Sequence, residues 1–199
     1  MDYERILLEK MKEEARCPLC GVIEDLEYDQ LAHLQHDITE DPNTRARVVD
    51  AGGFCAFHFR QFRKLANNWT IALLLDDMIT CYLDGRFQSA AECPVCKQTQ
   101  AHEAELEKGF ISHLMNREFH SDYAISNGLC LPHLKTIVEK VDSQQVHELL
   151  QNTQSRQLSR LTKSLKNAIA KAYLDTTREE RGAIPRAVEK FVGERGIAF

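Results

Sequence analysis

The tetrapeptide Cys17-Pro18-Leu19-Cys20 recurs later in the chain as Cys93-Pro94-Val95-Cys96. Each copy is followed by a second motif, which reads Gly-Phe-Cys-Ala-Phe-His at residues 53–58 and Gly-Leu-Cys-Leu-Pro-His at residues 128–133. The gap from Cys20 to Cys55 is 34 residues, and the gap from Cys96 to Cys130 is 33. Nearly equal spacing of two unusual motifs indicates an internal repeat.

The residue types in these motifs are those that bind zinc. Zinc prefers four thiolate or imidazole ligands in a tetrahedron, and Cys-x-x-Cys places two thiolates on one side of an ion. A Cys-x-x-His pair on a helix puts its ligands on one face, at i and i+3. We therefore predict two zinc ions, each held by the ligands of one repeat. The first set comprises Cys17, Cys20, Cys55 and His58, and the second comprises Cys93, Cys96, Cys130 and His133.

Other uses of the same cysteines remain open. An iron–sulfur cluster accepts similar ligands, and Cys-Pro-x-Cys also occurs in thiol-redox and metal-handling proteins. A redox motif is expected after a strand within a βαβ unit, whereas helix-like sequence precedes both pairs here. Structural disulfides would leave His58 and His133 unexplained. Four ligands per repeat favour closed, structural sites over catalytic ones, which keep an open position.

The rest of the sequence has helical periodicity, and no segment alternates as a strand would. We predict an all-α fold in three parts: a first metal-binding repeat (1–86), a second (87–142), and a C-terminal helical region packed on the repeats (143–199). Asp41-Pro42 and a capping box at Thr177 are predicted helix starts. Shorter patterns predict a helix near 122–126 and a last helix opened by Pro185. Trp69 is predicted to be a core anchor and Cys81 a small buried side chain.

Composition excludes several classes of protein. The chain has 199 residues, 43% of them hydrophobic, with a net charge of −5. It has no apolar run long enough to span a membrane and no signal peptide at its start, so a cytoplasmic location with reduced thiols is expected. No nucleophile elbow or phosphate-binding glycine loop is present. No other acid or base is identified at the same offset in both repeats, and we identify no enzyme site. An enzyme site formed between the repeats or at a dimer seam stays open as an alternative.

The C-terminal region differs in charge from the rest. Residues 156–199 carry a surplus of five positive charges, whereas the preceding residues carry a surplus of ten negative ones. Residues 143–174 form one helical pattern whose apolar stripe is predicted to comprise Leu158, Leu161, Leu165, Ile169 and Ala172. The opposite face carries the candidate partner-binding residues Arg156, Arg160, Lys163 and Lys171. A protein partner, a homodimer or, with weaker support, a nucleic acid would suit such a helix, although charged faces are usually only solvated.

The paired motifs resemble a family of prokaryotic proteins of unknown function that combine two CPxC with two GFC or GLCxxH motifs. The resemblance extends to Asn68, to residues 72–76 and to residues 185–190. It implies a shared fold and a shared set of eight ligands, and no activity.

Overall fold

The computed structural model describes residues 3–12, 16–87, 93–171 and 175–193. Within these ranges it contains ten helices and no strand, which confirms the predicted all-α fold. The helices are α1 (Tyr3–Lys12), α2 (Pro18–Glu40), α3 (Pro42–Asp50), α4 (Ala56–Leu65), α5 (Asn68–Leu83), α6 (Pro94–Leu114), α7 (Arg117–Ile125), α8 (Leu131–Lys140), α9 (Gln144–Ala170) and α10 (Arg178–Val192). None of these helices has the length and apolarity needed to cross a membrane.

Two runs of three helices follow the two copies of the sequence motifs. Helices α2, α3 and α4 contain 23, 9 and 10 residues, and helices α6, α7 and α8 contain 21, 9 and 10. In each run the Cys-Pro-x-Cys motif begins the long helix and the Cys-x-x-His motif begins the third. Corresponding motifs therefore occupy corresponding places in the secondary structure.

The chain divides into two compact units that are not continuous in sequence. The first unit contains Met1–Val22 and Ala104–Arg195, and the second contains Ile23–Glu103. The boundaries fall inside α2 and α6, and not at residues 86/87 and 142/143 where sequence patterning placed them. A long helix has no break in composition at the point where its packing partners change, so patterning cannot find such a boundary.

The core of the second unit is formed by α2 to α5 and the start of α6. The Phe54 and Phe62 rings lie 5.0 Å apart at its centre. Cys81 is buried in this core, as predicted. Trp69 is not, since 66% of it is exposed, and the prediction of a core anchor was wrong. The inward face of α5 carries Thr70, Leu74 and Cys81, which turns the neighbouring Trp69 towards solvent.

In the first unit, α9 packs against α7, α8 and α10. Its buried residues are Val146, Leu150, Thr153, Gln154, Gln157 and Ala168. The predicted stripe was wrong at Ile169, which is 77% exposed, and Ala172 lies outside the described residues. Half of the inward face is polar, and Gln157 Nε2 donates to the Ser126 carbonyl at 2.7 Å. An inward helix face that is predicted from apolar residues alone does not include these buried glutamine side chains.

Side-chain caps decide where several helices begin. Asp41 accepts hydrogen bonds from the Asn43 and Thr44 amides at the start of α3, as predicted. The predicted helix near 122–126 is α7, which begins earlier because Asn116 caps it.

The capping box at Thr177 is confirmed as the start of α10. Pro185 therefore lies inside that helix and does not open it. The prediction failed because a favourable first turn had already formed eight residues upstream.

Candidate metal centres

The first cluster consists of Cys17, Cys20, Cys130 and His133, all in the first unit. His133 Nδ1 lies 3.5 Å from the sulfur of Cys17, 3.4 Å from that of Cys20 and 3.2 Å from that of Cys130. The Cys20 and Cys130 sulfurs are 3.7 Å apart. Three sulfurs and one nitrogen thus surround a common point.

The second cluster consists of Cys55, His58, Cys93 and Cys96, all in the second unit. His58 Nδ1 lies 3.4 Å from Cys55 Sγ, 3.5 Å from Cys93 Sγ and 3.3 Å from Cys96 Sγ. The Cys55 and Cys96 sulfurs are 3.7 Å apart. In each cluster the four donor atoms all lie within 4.8 Å of one another, so each could hold a metal ion.

The eight predicted ligands are therefore brought together, but the predicted grouping was wrong. Each cluster joins the Cys-Pro-x-Cys pair of one repeat to the Cys-x-x-His pair of the other. Chain reach gives the reason. From Cys20 to the end of α2 the helix rises about 30 Å. The chain could cover that distance again before Cys55 only if α3 ran straight back along α2 and the five residues after α3 were fully extended. The long helix separates the motifs of its own repeat.

The local structure of each ligand pair follows from its motif. Pro18 and Pro94 begin α2 and α6, where a missing amide hydrogen costs no helical hydrogen bond. Cys55 and Cys130 are the N-cap residues of α4 and α8. The glycine two residues before each of these cysteines has a positive φ, 80° at Gly53 and 64° at Gly128. A side chain there would strain the backbone, which accounts for the glycine in both motifs.

The thiols of the second cluster differ in acidity. Burial opposes ionisation of Cys93, but His58 and the amides of Cys55, Cys96 and Val95 lower its pKa to about 6. Burial and the Cys55 and Cys93 thiols raise the pKa of Cys96 to about 12. Without an ion, one sulfur is a thiolate and another keeps its proton, and binding a metal releases protons.

The first cluster repeats this division of charge. Burial opposes ionisation of Cys17 as well, yet contacts with Cys130, Cys20 and His133 bring its pKa well below the usual value. The pKa of Cys20 is raised by hydrogen bonding with Cys130 and Cys17 and by burial.

Glu27 is a residue of the second site that sequence reasoning missed. Its Oε1 lies 3.3 Å from His58 Nε2, and both side chains are buried, at 2% and 3% exposed. An Nε2–H that donates to this carboxylate leaves the Nδ1 lone pair directed at the sulfurs. Burial lowers the pKa of His58, but Cys93 and Glu27 raise it more, to about 10.

A sequence signal for Glu27 existed. It follows Cys20 by seven residues, and Glu103 follows Cys96 by the same number. Asp29 and Glu105 recur at the next such offset, nine residues on. The expectation that no other acid recurs was wrong, because acidic residues occupy both of these offsets in each repeat.

The first cluster has different neighbours. Lys190, only 8% exposed, lies close enough to Cys17, Cys130 and Cys20 for their charges to raise its pKa, although burial lowers it overall. A Cβ on Gly193 would lie 3.5 Å from Cys130 Sγ and 3.6 Å from Cys20 Sγ, so the end of α10 packs over the sulfurs. Glu107 lies within 4.8 Å of His133 and pairs with Lys140 Nζ at 2.5 Å.

The four predicted partner-binding residues do not form one cationic face. Lys171 Nζ binds both carboxylate oxygens of Glu180 at 2.9 Å. Arg156 is partly buried and reaches the Ser126 carbonyl at 3.4 Å. Arg160 and Lys163 remain exposed and have no ion pair among the described residues.

Comparison with known proteins gives one result. Residues 3–88 match the model of a family of unknown function, DUF6062. No curated protein and no solved structure matches the chain. The matched segment contains Cys17, Cys20, Cys55 and His58, and therefore one ligand pair from each cluster. This match supports the resemblance of the motifs over this part of the chain, and the family that it matches has no assigned activity.

Proposed function

We propose that the protein is a zinc-binding helical module in which two structural ions each hold distant segments of the chain together. One observation carries the proposal. Zinc–sulfur and zinc–nitrogen bonds of about 2.3 and 2.0 Å imply tetrahedral edges of about 3.8 Å between sulfurs and about 3.5 Å from sulfur to nitrogen. One sulfur pair in each cluster, Cys20–Cys130 and Cys55–Cys96, is 3.7 Å apart, and the sulfur–nitrogen distances run from 3.2 to 3.5 Å.

The same distances favour a single ion over an iron–sulfur cluster. In such a cluster the protein ligands bind different irons and spread around a core of several atoms. Here every pair of donor atoms lies within 4.8 Å. They also favour an ion over a disulfide, whose sulfurs are about 2.05 Å apart, and all seven cysteines are free thiols.

A structural role follows from the number of protein ligands. Three thiolates and one imidazole complete a tetrahedron, whereas catalytic zinc keeps one position for water or substrate. The ion in the first cluster would close a loop of 110 residues between Cys20 and Cys130, and that in the second a loop of 41 between Cys55 and Cys96. Each ion would act as a Lewis acid only towards the thiolates and the imidazole that bind it.

Metal counting on paired variants tests the proposal and the exchanged grouping together. Native mass spectrometry of anaerobically purified protein should find two zinc ions per chain. Cys20→Ser with Cys130→Ser removes two ligands of one cluster and should leave one ion. Cys20→Ser with Cys55→Ser takes a ligand from each cluster and should leave no tightly held ion. Cys81→Ala, outside both clusters, should retain two.

Three results would overturn the proposal. Iron with absorption near 400 nm would indicate an iron–sulfur protein, and metal-free protein with reversible Cys17–Cys20 disulfides would indicate thiol-redox chemistry. One zinc retained by the Cys20/Cys55 pair would restore the grouping within each repeat.

The adaptor part of the proposal is that the module binds another macromolecule. Of the four predicted partner-binding residues, Arg160 and Lys163 are exposed and have no ion pair among the described residues, which suits an anionic partner. Binding to such a partner should weaken with rising salt, and affinity that is independent of salt would contradict this part.

A further inference from the structure

A cavity of about 320 Å³ lies in the first unit, walled by α9, α10, the end of α7 and the segment that follows it. Its volume is within the range of small-molecule sites. Three cations reach its wall, Arg160, Arg186 and Lys190, against one carboxylate, Glu179. The amides of Asn127 and Gln157 add hydrogen-bonding groups.

Arg160 and Arg186 have no carboxylate partner in the part of the chain that the structure describes, whereas Lys190 lies near the thiols of the first metal cluster. Arg186 donates from Nε to the Gly182 carbonyl and from Nη2 to the Glu179 carbonyl, both at 3.0 Å. Lys190 Nζ donates to the Asn127 carbonyl. Arg160 makes no hydrogen bond or ion pair to a described residue. Backbone carbonyl groups orient a cation but do not neutralise its charge. The guanidinium and ammonium groups therefore keep their positive charge and have further N–H donors for a ligand.

Two further properties of the wall define the ligand. Three cations and one carboxylate leave a surplus of two positive charges, which matches a phosphomonoester that is largely dianionic at pH 7. Guanidinium groups bind phosphoryl oxygens in pairs. Ile125 and Leu161 add an apolar part to the wall, and the cavity is larger than a phosphoryl group needs.

We propose that this cavity binds a small organic phosphomonoester, with its phosphoryl group on Arg160, Arg186 and Lys190 and its organic part against Ile125 and Leu161. None of the wall residues is a metal ligand, although Lys190 also lies near the thiols of the first cluster.

Calorimetric titration of the metal-loaded full chain with phenyl phosphate and with inorganic phosphate tests this site. Phenyl phosphate should bind with one-to-one stoichiometry and more tightly than inorganic phosphate, because only it has a group for the apolar wall. Arg160→Gln should weaken its binding about tenfold or more, since it removes a charge-assisted contact worth about 1.5–3 kcal/mol. Arg160→Lys should recover part of the loss.

Lys163→Gln is the matched control, because it removes the same charge from the same helix outside the cavity wall. It should change phenyl phosphate affinity less than about twofold. Arg160 makes no bond to a described residue, so its variant should keep the wild-type circular dichroism spectrum and metal content. An absence of binding at millimolar phenyl phosphate would overturn the proposal. So would equal losses in the Arg160 and Lys163 variants, which would indicate a diffuse polyanion surface.

Discussion

His58 in the second cluster bonds through its outer nitrogen to a buried carboxylate, Glu27, whereas a buried ammonium, Lys190, lies near the thiols of the first. Glu107 in the first unit lies within 4.8 Å of His133 and is paired with Lys140. Three thiolates and a neutral imidazole around a divalent ion leave one negative charge. Lys190 offsets that charge in the first cluster, and Glu27 adds to it in the second.

The comparison teaches that an identical set of ligands does not imply identical metal binding. The buried ammonium of Lys190 near the thiolates of the first cluster repels a second cation. We therefore expect the second cluster to hold its ion more tightly than the first.

Removing a single metal ligand, from either cluster, should have the largest effect on stability. Cys20→Ser and Cys96→Ser should each lower the free energy of unfolding by several kcal/mol, since each opens a closed coordination shell. The loss at the second cluster should be the larger, because an ion that binds more tightly stabilises the folded state more. Urea denaturation measures both, and wild-type midpoints would contradict a structural ion.

Double substitutions extend the same measurement. Cys17→Ser with His133→Ala should cost little more than either change alone, because both act on one ion. Cys17→Ser with His58→Ala should cost the sum of the two, because they act on different ions. The reverse pattern would show that the ions are held within the repeats.

Glu27→Gln keeps the shape of the side chain and removes its charge. We expect metal affinity at the second cluster to fall about 10- to 100-fold, as for other carboxylates that bond to a metal-binding histidine. The metal affinities of the two clusters should then differ less. Competition with a zinc chelator measures both affinities. Asp29→Asn, an exposed change two residues further along α2, is the control. Equal weakening of both clusters by the Glu27 change would indicate a general loss of stability.

Gly193→Ala should affect the first cluster alone. Gly193 has φ 74° and ψ 175°, a conformation that is nearly exclusive to glycine. Its Cβ would fit beside the Cys130 and Cys20 sulfurs, so the cost comes from the backbone and should be on the order of 1 kcal/mol. Gly182→Ala, at a helical position in α10 with open space around it, should be neutral or stabilising. Thermal unfolding compares the two, and equal effects would contradict this assignment of strain.

The smallest expected effect is a difference in acid sensitivity between α3 and α7, the helices that follow α2 and α6. The N-cap of α3 is Asp41, and that of α7 is Asn116, which does not titrate. Hydrogen bonds from the Thr44 hydroxyl and the Asn43 amide lower the pKa of Asp41 below its usual 3.8. Because the folded pKa is the lower one, the stabilisation is present above pH 3.8 and is lost as pH falls through the folded pKa.

Hydrogen exchange should therefore show loss of amide protection at the start of α3, and not of α7, on acidification. Asp41→Asn should remove this dependence on pH. Equal acid sensitivity of both helices in the variant would assign the effect to another group.

Much of the local structure could be predicted from short patterns. The caps at Asp41 and Thr177 depend on interactions within three residues, and both are confirmed. The burial of Cys81 follows from its place in an apolar helix. Errors arose where a residue's position depended on distant partners. Trp69 is exposed because Thr70 and Leu74 take the inward face of α5, and Ile169 is exposed because the inward face of α9 includes buried glutamines.

The sequence by itself determined which side chains could serve as metal ligands and which helices carry them, because thiol and imidazole chemistry and helix caps are encoded within a few neighbouring residues. Only the tertiary structure decided which pairs meet, since two equivalent Cys-x-x-His motifs are available to each Cys-Pro-x-Cys pair. The length of α2 and α6 decides between them, by carrying each chain segment away from its own repeat's partner. The charges around each cluster were decided in the same way, by Glu27 and Lys190 brought in through packing.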